Sequence, residues 1–310
     1  MELIHNLDEI PALAGSVVTD GMFDGVHLGH QKILKQVVNE AKEMGMPSVL
    51  LTYWPHPRHV LPEKGERLKI LTTLEEKAGI VASQGIDYML VIPFNYAFSR
   101  ITHEKFVKEI LSEKLQTRKI IIGYDHRFGL NRLGNVGYLK EAGKELGFDV
   151  LEIGKQEIED IAISSTKIRY SLQHHLIETA AQFLGRNYSL SGTVVKGDQR
   201  GRLLGYPTAN LDVSETSKLV PADGVYATWA IVDGKKYGSM TNIGFRPTVD
   251  GLHHKIESHL FDFEGDLYGK TLTLEFVSPI REEMKFAGLD ALKEQLALDE
   301  KISRMILAKG

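Results

Sequence analysis

The chain has 310 residues, enough for about two domains of ordinary size. Its 37 Lys and Arg against 41 Asp and Glu leave a formal net charge of −4, which excludes the basic face of a general nucleic-acid binder but not a site for small phosphorylated ligands. A hydrophobic content of 43% excludes disorder as the main state, and the absence of cysteine excludes disulfides, thiolate metal sites and cysteine nucleophiles. No apolar run approaches the roughly 18 residues that span a bilayer. The start, MELIHNLDEIP, lacks the basic-then-apolar order of a signal peptide. The expectation is a cytoplasmic protein with no membrane or nucleic-acid partner.

The first half alternates between two patterns. Apolar runs at Val17–Thr19, Val49–Tyr53, Tyr88–Phe94, Ile120–Ile122 and Val150–Ile153 are unbroken, as strands buried on both faces should be. Helical periodicity lies between them over Gln31–Met44, Thr73–Gln84, His103–Leu115 and Asn135–Leu146. Such alternation predicts a parallel α/β sheet, with ligands at the carboxyl ends of its strands. From Ser189 the period becomes two. Thr271–Val277 places Leu272, Leu274 and Phe276 on one face, and Lys255–Phe261 alternates likewise. With frequent turn glycines this predicts a small antiparallel barrel, and the periodicity of Leu289–Leu307 predicts a closing amphipathic helix. The boundary is placed in Leu184–Tyr188, giving domains 1–184 and 185–310.

The first candidate site follows the first long strand: Gly21-Met-Phe-Asp-Gly-Val-His-Leu-Gly-His30, then the best helix of the chain. Gly21, Gly25 and Gly29 let backbone approach a ligand, and the helix start offers free N–H groups to an anion. His27 and His30, one helical turn apart, can face the same phosphate. Read from residues alone, the run could also be a tight turn with two solvated histidines. It resembles the signature of the nucleotidyltransferase superfamily, in which an adenylyl group passes from ATP to a phosphate. The resemblance implies a nucleotide site at Gly21, Phe23, Asp24, Gly25, His27, Gly29 and His30. Ile163-Ser-Ser-Thr-Lys-Ile-Arg169 stands before a helix, with cap-forming residues and a cation. It could be a simple cap, but it resembles the triphosphate-gripping motif of the same superfamily, which implies roles for Ser164, Ser165, Thr166 and Arg169.

Two more segments resemble the bacterial bifunctional riboflavin kinase/FAD synthetases. They are Thr52-Tyr-Trp-Pro-His-Pro57 and Gly123-Tyr-Asp-His-Arg-Phe-Gly129. The resemblance implies flavin contacts at Pro55, Pro57 and Asp125. His126 departs from it, standing where Phe is usual.

In the second half, Gly197-Asp-Gln-Arg-Gly-Arg-Leu-Leu-Gly-Tyr-Pro-Thr-Ala-Asn210 combines glycine and arginine as a phosphate cradle would, although a solvated hairpin would look similar. Thr208 and Asn210 point the same way in an extended segment and offer neutral oxygens that suit Mg²⁺. The run resembles the ATP loop of riboflavin kinases, implying nucleotide contacts at Gly197, Arg200, Gly201, Arg202, Gly205 and Pro207 and Mg²⁺ at Thr208 and Asn210. Glu257 interrupts an apolar strand, either as a paired surface charge or as a general base. The resemblance implies the base, with Arg281 and Phe286 closing over the flavin. Gly265-Asp-Leu-Tyr-Gly-Lys-Thr271 is not a P-loop, because its spacing is one residue short and no helix follows; it reads as a hairpin turn. The pairs His174-His175 and His253-His254 read as surface residues, and no zinc site is visible. The family resemblance spans nearly the whole chain. It implies a nucleotidyltransferase-like α/β module that adenylylates FMN to FAD and a Greek-key-type β-barrel module that phosphorylates riboflavin to FMN. ATP would be co-substrate of both.

Overall fold

A computed structural model describes the chain except residues 62–67, 125, 155–162, 198–199, 249–250 and 310. For Arg200, Leu203, residues 245–248 and residues 251–254 it describes the backbone alone. The chain divides into two compact units, Met1–Ser165 and Thr166–Gly310.

The first unit is built on β1 (Glu2–Ile4), β2 (Ser16–Asp20), β3 (Ser48–Trp54), β4 (Tyr88–Pro93), β5 (Thr117–Gly123) and β6 (Asp149–Ile153). All pair in parallel, in the order β1-β4-β3-β2-β5-β6. The helices are α1 (Leu28–Met44), α2 (Leu74–Ser83), α3 (Phe106–Lys114) and α4 (Val136–Leu146). Alternate strand residues feed two cores. Val18, Val49, Leu51, Ile120 and Ile122 pack with α3 and α4, whereas Val17, Leu50, Met89 and Ile121 pack with α1 and α2. Burial on both faces explains the unbroken apolar runs. The chain winds outward through β2, β3 and β4, then restarts at β5 on the other side of β2. The crevice at this reversal, between the ends of β2 and β5, is where such sheets bind ligands.

Two boundaries differ from the sequence reading. Helix α1 begins at Leu28 rather than Gln31, because the His27 side chain accepts from the His30 amide and caps it. Residues predicted as one helix from His103 form a short turn, His103–Lys105, and then α3, wound as a π-helix that ends with the Leu115 amide on the Ile110 carbonyl.

The second unit starts with α5 (Ser165–Gln173) and α6 (Ile177–Leu184), then β7 (Tyr188–Val195), β8 (Ala209–Asp212), β9 (Gly224–Val232), β10 (Lys235–Thr248), β11 (Gly251–Leu260) and β12 (Thr271–Arg281). These six strands close into a barrel in the order β10-β11-β8-β7-β12-β9. Strands β9, β10 and β11 form a meander and β12 returns beside β9, which is the Greek-key order. Helix α7 (Leu289–Leu307) lays Leu296, Ile306 and Leu307 against Ala227, Trp229, Met240 and Phe261 on the outside of the barrel. The 265–271 turn is not a hairpin. It joins β11 to β12, which are not neighbours, so it is a crossing connection of the Greek key. Of the histidine pairs, His174 is exposed, whereas His175 is half-buried and lies 3.1 Å from the Tyr226 hydroxyl. The side chains of His253 and His254 lie outside the described residues.

Helix α4 offers a test of packing against propensity. Gly143 lies in its buried face, where an added Cβ would collide with the Phe148 carbonyl. Glycine to alanine inside a helix ordinarily gains about 1 kcal/mol. Here Gly143→Ala should instead cost about 1–3 kcal/mol through overpacking. Urea unfolding followed by circular dichroism checks the sign, and an unchanged or raised midpoint would contradict the packing argument.

Candidate active sites

The first site grows from the loop between β2 and α1. Phe23 and Val26 hold positive φ of 48° and 39°, conformations that bulky L-residues rarely adopt. Such strain persists only where the surroundings over-determine it. Here they do. Asp24, almost fully buried, accepts from the amides of Leu71 (2.9 Å) and Thr72 (3.2 Å), and the Gly25 amide donates to Thr72 Oγ1. The Lys77 ammonium, 1% exposed, donates to the Met22 carbonyl at 2.7 Å. Burial pushes Lys77 down to about 8, against the opposing pull of Asp24.

The two histidines stack, with ring centroids 3.6 Å apart and planes 17° apart. Nδ1 of His27 accepts from the His30 amide, so its proton sits on Nε2. Burial, and then the charges of His27 and Lys77, hold His30 well below the ordinary histidine value. Its Nδ1 is buried without a hydrogen-bond partner. A neutral imidazole with an unsatisfied nitrogen, at the positive end of a helix, suits an incoming anion. The second motif reaches the same loop. Ser165 Oγ donates to the Asp24 carbonyl at 2.9 Å, and Ser164 adjoins it. Thr166 and Arg169 lie on α5 beyond, in the second unit.

Several expected contacts take a different form. Asp24 and Phe23 face inward, Asp24 clamping the 71–72 backbone and Phe23 packing on His30 with centroids 4.9 Å apart, so both shape the loop. Pro55, exposed, follows a cis Trp54–Pro55 bond, and Pro57 opens the helical turn Pro57–Val60. Asp125 lies outside the described residues. Lys77 escaped the sequence reading. Its signal was its register: Leu74, Lys77 and Val81 form the buried stripe of α2.

The second site lies on the outside of the barrel, against α7. A cavity of about 350 Å³ is lined by Thr208, Asn242, Lys255, Glu257, Arg281 and Phe286 among others. Register builds its polar row: Asn242 pairs with Glu257 across β10 and β11, and Glu257 with Asn210 across β11 and β8. Thr208 Oγ1 lies 3.5 Å from Glu257 Oε1, and Lys255 Nζ lies 3.1 Å from the same oxygen. Glu257 is thus partly solvated and paired, not stranded in the core. The ATP-loop candidates Gly201, Arg202 and Gly205 lie on and just after a short helical turn, Arg200–Leu204, where an open loop was expected. Gly197 comes so close to the Asn210 amide that a Cβ there would overlap it. Pro207 is exposed and its carbonyl lies 2.7 Å from His259 Nδ1, while Arg202 reaches the Tyr268 hydroxyl at 3.3 Å. The Arg200 side chain is outside the described residues. Arg281 is fixed by a two-pronged bond to the fully buried Asp299, at 2.7–3.1 Å, and lies over the Phe286 ring. Sequence reading missed Asn242 and Asp299, whose placement depends on pairings no local motif encodes. Among the described residues no cluster of His, Cys, Asp and Glu could hold a metal alone, and no helix is long and apolar enough to cross a membrane.

Comparison with known proteins addresses both units. A FAD synthetase family model matches residues 9–167, and a riboflavin kinase family model matches residues 184–307. The chain is 41% identical over 303 residues to the bifunctional riboflavin kinase/FMN adenylyltransferase of Buchnera aphidicola subsp. Schizaphis graminum, covering 96% of each chain. It is 36% identical to the protein of the same description from Escherichia coli K12, covering 97% of this chain and 95% of that one. A crystal structure described as a macrolide-efflux protein from Streptococcus pneumoniae superposes with a TM-score of 0.88 at 30% identity, over 98% of each chain.

The buried Lys77 makes stability depend on pH with a defined sign. The folded chain binds this proton less tightly than the unfolded chain, whose lysine titrates near the ordinary value. Between about 8 and 10 the unfolded state therefore holds more protons, and stability should rise with pH. Urea unfolding across that window should show the rise in the native protein and a flatter profile in Lys77→Met. Equal slopes in the two would contradict it.

Proposed function

The chain belongs to the family of bifunctional riboflavin kinase/FMN adenylyltransferases, and from that premise we propose which residues carry its two reactions and where its modules divide. The protein phosphorylates riboflavin with ATP to FMN, then adenylylates FMN with ATP to FAD, releasing pyrophosphate. The adenylyltransferase module takes residues 1–184 and the kinase module 185–310. This divides the chain by chemistry. Helices α5 and α6 go with the barrel unit by packing, while α5 carries Thr166 and Arg169 of the adenylyl site.

In the kinase module, riboflavin occupies the cavity between the barrel and α7, with its ring beside Phe286 and the fixed Arg281. Glu257 accepts the proton of the ribityl 5′-hydroxyl as that oxygen attacks the γ-phosphorus of ATP and ADP departs. Its place in the cavity lining, beside Lys255 and partly exposed, supports a carboxylate within reach of a bound hydroxyl. Gly197, Arg200, Gly201, Arg202, Gly205 and Pro207 form the loop over the ATP phosphates. The all-oxygen set of the Thr208 hydroxyl and the Asn210 amide, beside Glu257, fits a partly hydrated Mg²⁺. Bound there with ATP, Mg²⁺ would neutralise phosphate charge. The rest is positioning by the fixed row of side chains.

In the adenylyltransferase module, an FMN phosphate oxygen attacks the α-phosphorus of ATP and pyrophosphate leaves. His27 donates from Nε2, and His30 and the first amides of α1 face the charge that develops. Ser164, Ser165, Thr166 and Arg169 hold the departing phosphates, with Gly21, Gly25 and Gly29 allowing close approach. Pro55, Pro57 and Asp125 form the flavin side. Neither step needs a covalent enzyme intermediate. Small molecules are the only partners in this reading. A cytoplasmic location, where ATP is plentiful, fits a chain without cysteine.

One observation carries the proposal: the histidine pair and the carboxylate with its metal seats lie in separate compact units, His27 and His30 in one, and Thr208, Asn210 and Glu257 in the other. Glu257→Ala should therefore cut FMN formation by about 10²-fold or more while leaving FAD formation from supplied FMN intact. His27→Ala combined with His30→Ala should do the reverse. Timed incubations with riboflavin or FMN, ATP and Mg²⁺, resolved by chromatography, check both. Loss of both activities from either change, in folded protein, would overturn the two-site assignment.

A further inference from the structure

Neither reaction as described uses the ammonium of Lys77, although it is buried against the loop that carries both histidines. Three elements meet at its tip. From α2, Nζ donates to the Met22 carbonyl at 2.7 Å and lies 3.4 Å from Thr52 Oγ1. From β3, the fully buried Thr52 hydroxyl donates to the same carbonyl at 3.3 Å. The loop between β2 and α1 supplies that carbonyl and, two residues on, the carboxylate of Asp24.

A methionine or leucine would fill this place in the buried stripe of α2 without the cost of burying a charge. What the ammonium adds is direction. The Met22 carbonyl and the Phe23 nitrogen belong to one rigid peptide plane, so holding the first restricts the φ of the second. That φ is 48°, a value that a phenylalanine does not adopt unless it is held there. On the other side of Phe23, Asp24 accepts from the amides of Leu71 and Thr72. The strained residue is therefore fixed from both sides by one segment, 71–77. The Phe23 ring packs on His30, with centroids 4.9 Å apart, and His30 stacks on His27. A chain of contacts thus runs from Nζ through one peptide plane and one ring to the imidazole pair.

We propose that Lys77 is a positioning residue for adenylyl transfer, holding the Met22–Phe23 peptide so that His27 and His30 face the reacting phosphates. The inference rests on the assignment of the two histidines to that reaction. It has a consequence in pH, because the bond to Met22 weakens when the ammonium loses its proton. Burial brings that loss down to about 8. The charged and titratable groups around Nζ are Asp24 from the loop, which pulls the other way, and His30 from α1, which is held neutral. On α2 itself the neighbouring Glu76 accepts from the Thr73 amide, and Thr52 of β3 carries no charge.

The test is the pH dependence of FAD formation from FMN, from about pH 7 to 9, beside riboflavin phosphorylation and urea unfolding over the same range. Phosphate monoesters lose their second proton at about pH 6, below this window, so the substrates contribute no step. In the native protein kcat for FAD formation should fall about tenfold by pH 9, while riboflavin phosphorylation shows no such step and stability rises. Activity lost from a fold that grows more stable is a result that a merely structural role does not produce. Lys77→Met should lower kcat for FAD formation by about 10²-fold at pH 7, as misplacement of a reacting group by about 1 Å does. Its KM for FMN and its riboflavin phosphorylation should be unchanged, and its profile should have no step near 8. A step shared by both reactions, or native kcat in folded Lys77→Met, would overturn the proposal. A flat native profile overturns it too, and that measurement stands even if Lys77→Met fails to fold. His27→Ala combined with His30→Ala, run alongside, separates the levels. If it leaves FAD formation intact, the histidine assignment fails. If it abolishes FAD formation while the native profile is flat, only the present inference fails.

Discussion

The adenylyl site depends on a loop that would not hold its shape alone. Two bulky residues, Phe23 and Val26, occupy left-handed backbone regions at about 1–3 kcal/mol each. The loop keeps that shape because charged groups are buried against it. Lys77 holds the Met22 carbonyl, and Asp24 holds the amides of Leu71 and Thr72. Each is a group that burial penalises, and each offsets the penalty with directional bonds. The strained loop then delivers His27 to the cap of α1 and His30 one turn in, their rings stacked. Cap, dipole and imidazoles are thereby gathered at one point, as the proposed phosphate site requires. The buried lysine has a second consequence, since its charge helps keep His30 neutral.

The barrel solves a different problem. Its interior carries hydroxyls as well as aliphatics. Thr228 lies 2.7 Å from both Ser239 and Thr241, and Thr241 donates to Ser258 at 3.0 Å, all fully buried. A satisfied hydroxyl ladder across β9, β10 and β11 ties side-chain pairing to backbone register. A slip by one residue would break the ladder and turn Asn242 and Glu257 inward. The outward polar row of Asn242, Glu257 and Asn210 is thus specified from within. Helix α7 closes the other wall of the cavity. Asp299, from that helix, fixes Arg281 across the gap.

What could be read from the sequence divides along physical lines. Parallel strands buried on both faces leave unbroken apolar runs, so β2 to β6 were visible nearly to the residue. The candidate motifs stood out because glycine, histidine and cap residues recur in them at fixed local spacing. Long-range register was not visible. Asn242 reaches Glu257 only through the pairing of β10 with β11, and Asp299 reaches Arg281 only through the docking of α7. Asp24 shows a subtler limit. Its position in the motif was evident, but its role in clamping residues 71–72 requires knowing what lies 47 positions on. Lys77 was in principle legible, as a cation on the apolar stripe of α2. Such a residue signals either a partner inside the core or a break in the helix, and local pattern does not distinguish the two. His175, taken for surface, meets Tyr226 across a separation of 51 residues.

The two sites handle the same ligand class, ATP, with different materials, and the difference follows from the reactions. Adenylyl transfer concentrates charge at the α-phosphorus and on departing pyrophosphate. Backbone amides at a helix start, with the neutral His30 imidazole, can face a dispersed anion without bringing a competing counter-charge. A carboxylate facing it would oppose the substrate, and Asp24 is turned inward and bonded to backbone amides, while Asp20 is buried and accepts from Tyr53. Riboflavin phosphorylation needs a proton removed from an uncharged hydroxyl, which calls for a carboxylate, the role proposed for Glu257. That negative charge then has to be reconciled with ATP. Lys255, 3.1 Å from Glu257, offers a cation beside it, and in the proposed reading the neutral oxygens of Thr208 and Asn210 would seat a divalent one. A site able to do both would need a carboxylate and its absence in one place. Placing the histidine pair and Glu257 in separate compact units, as the proposed reading has it, resolves that conflict.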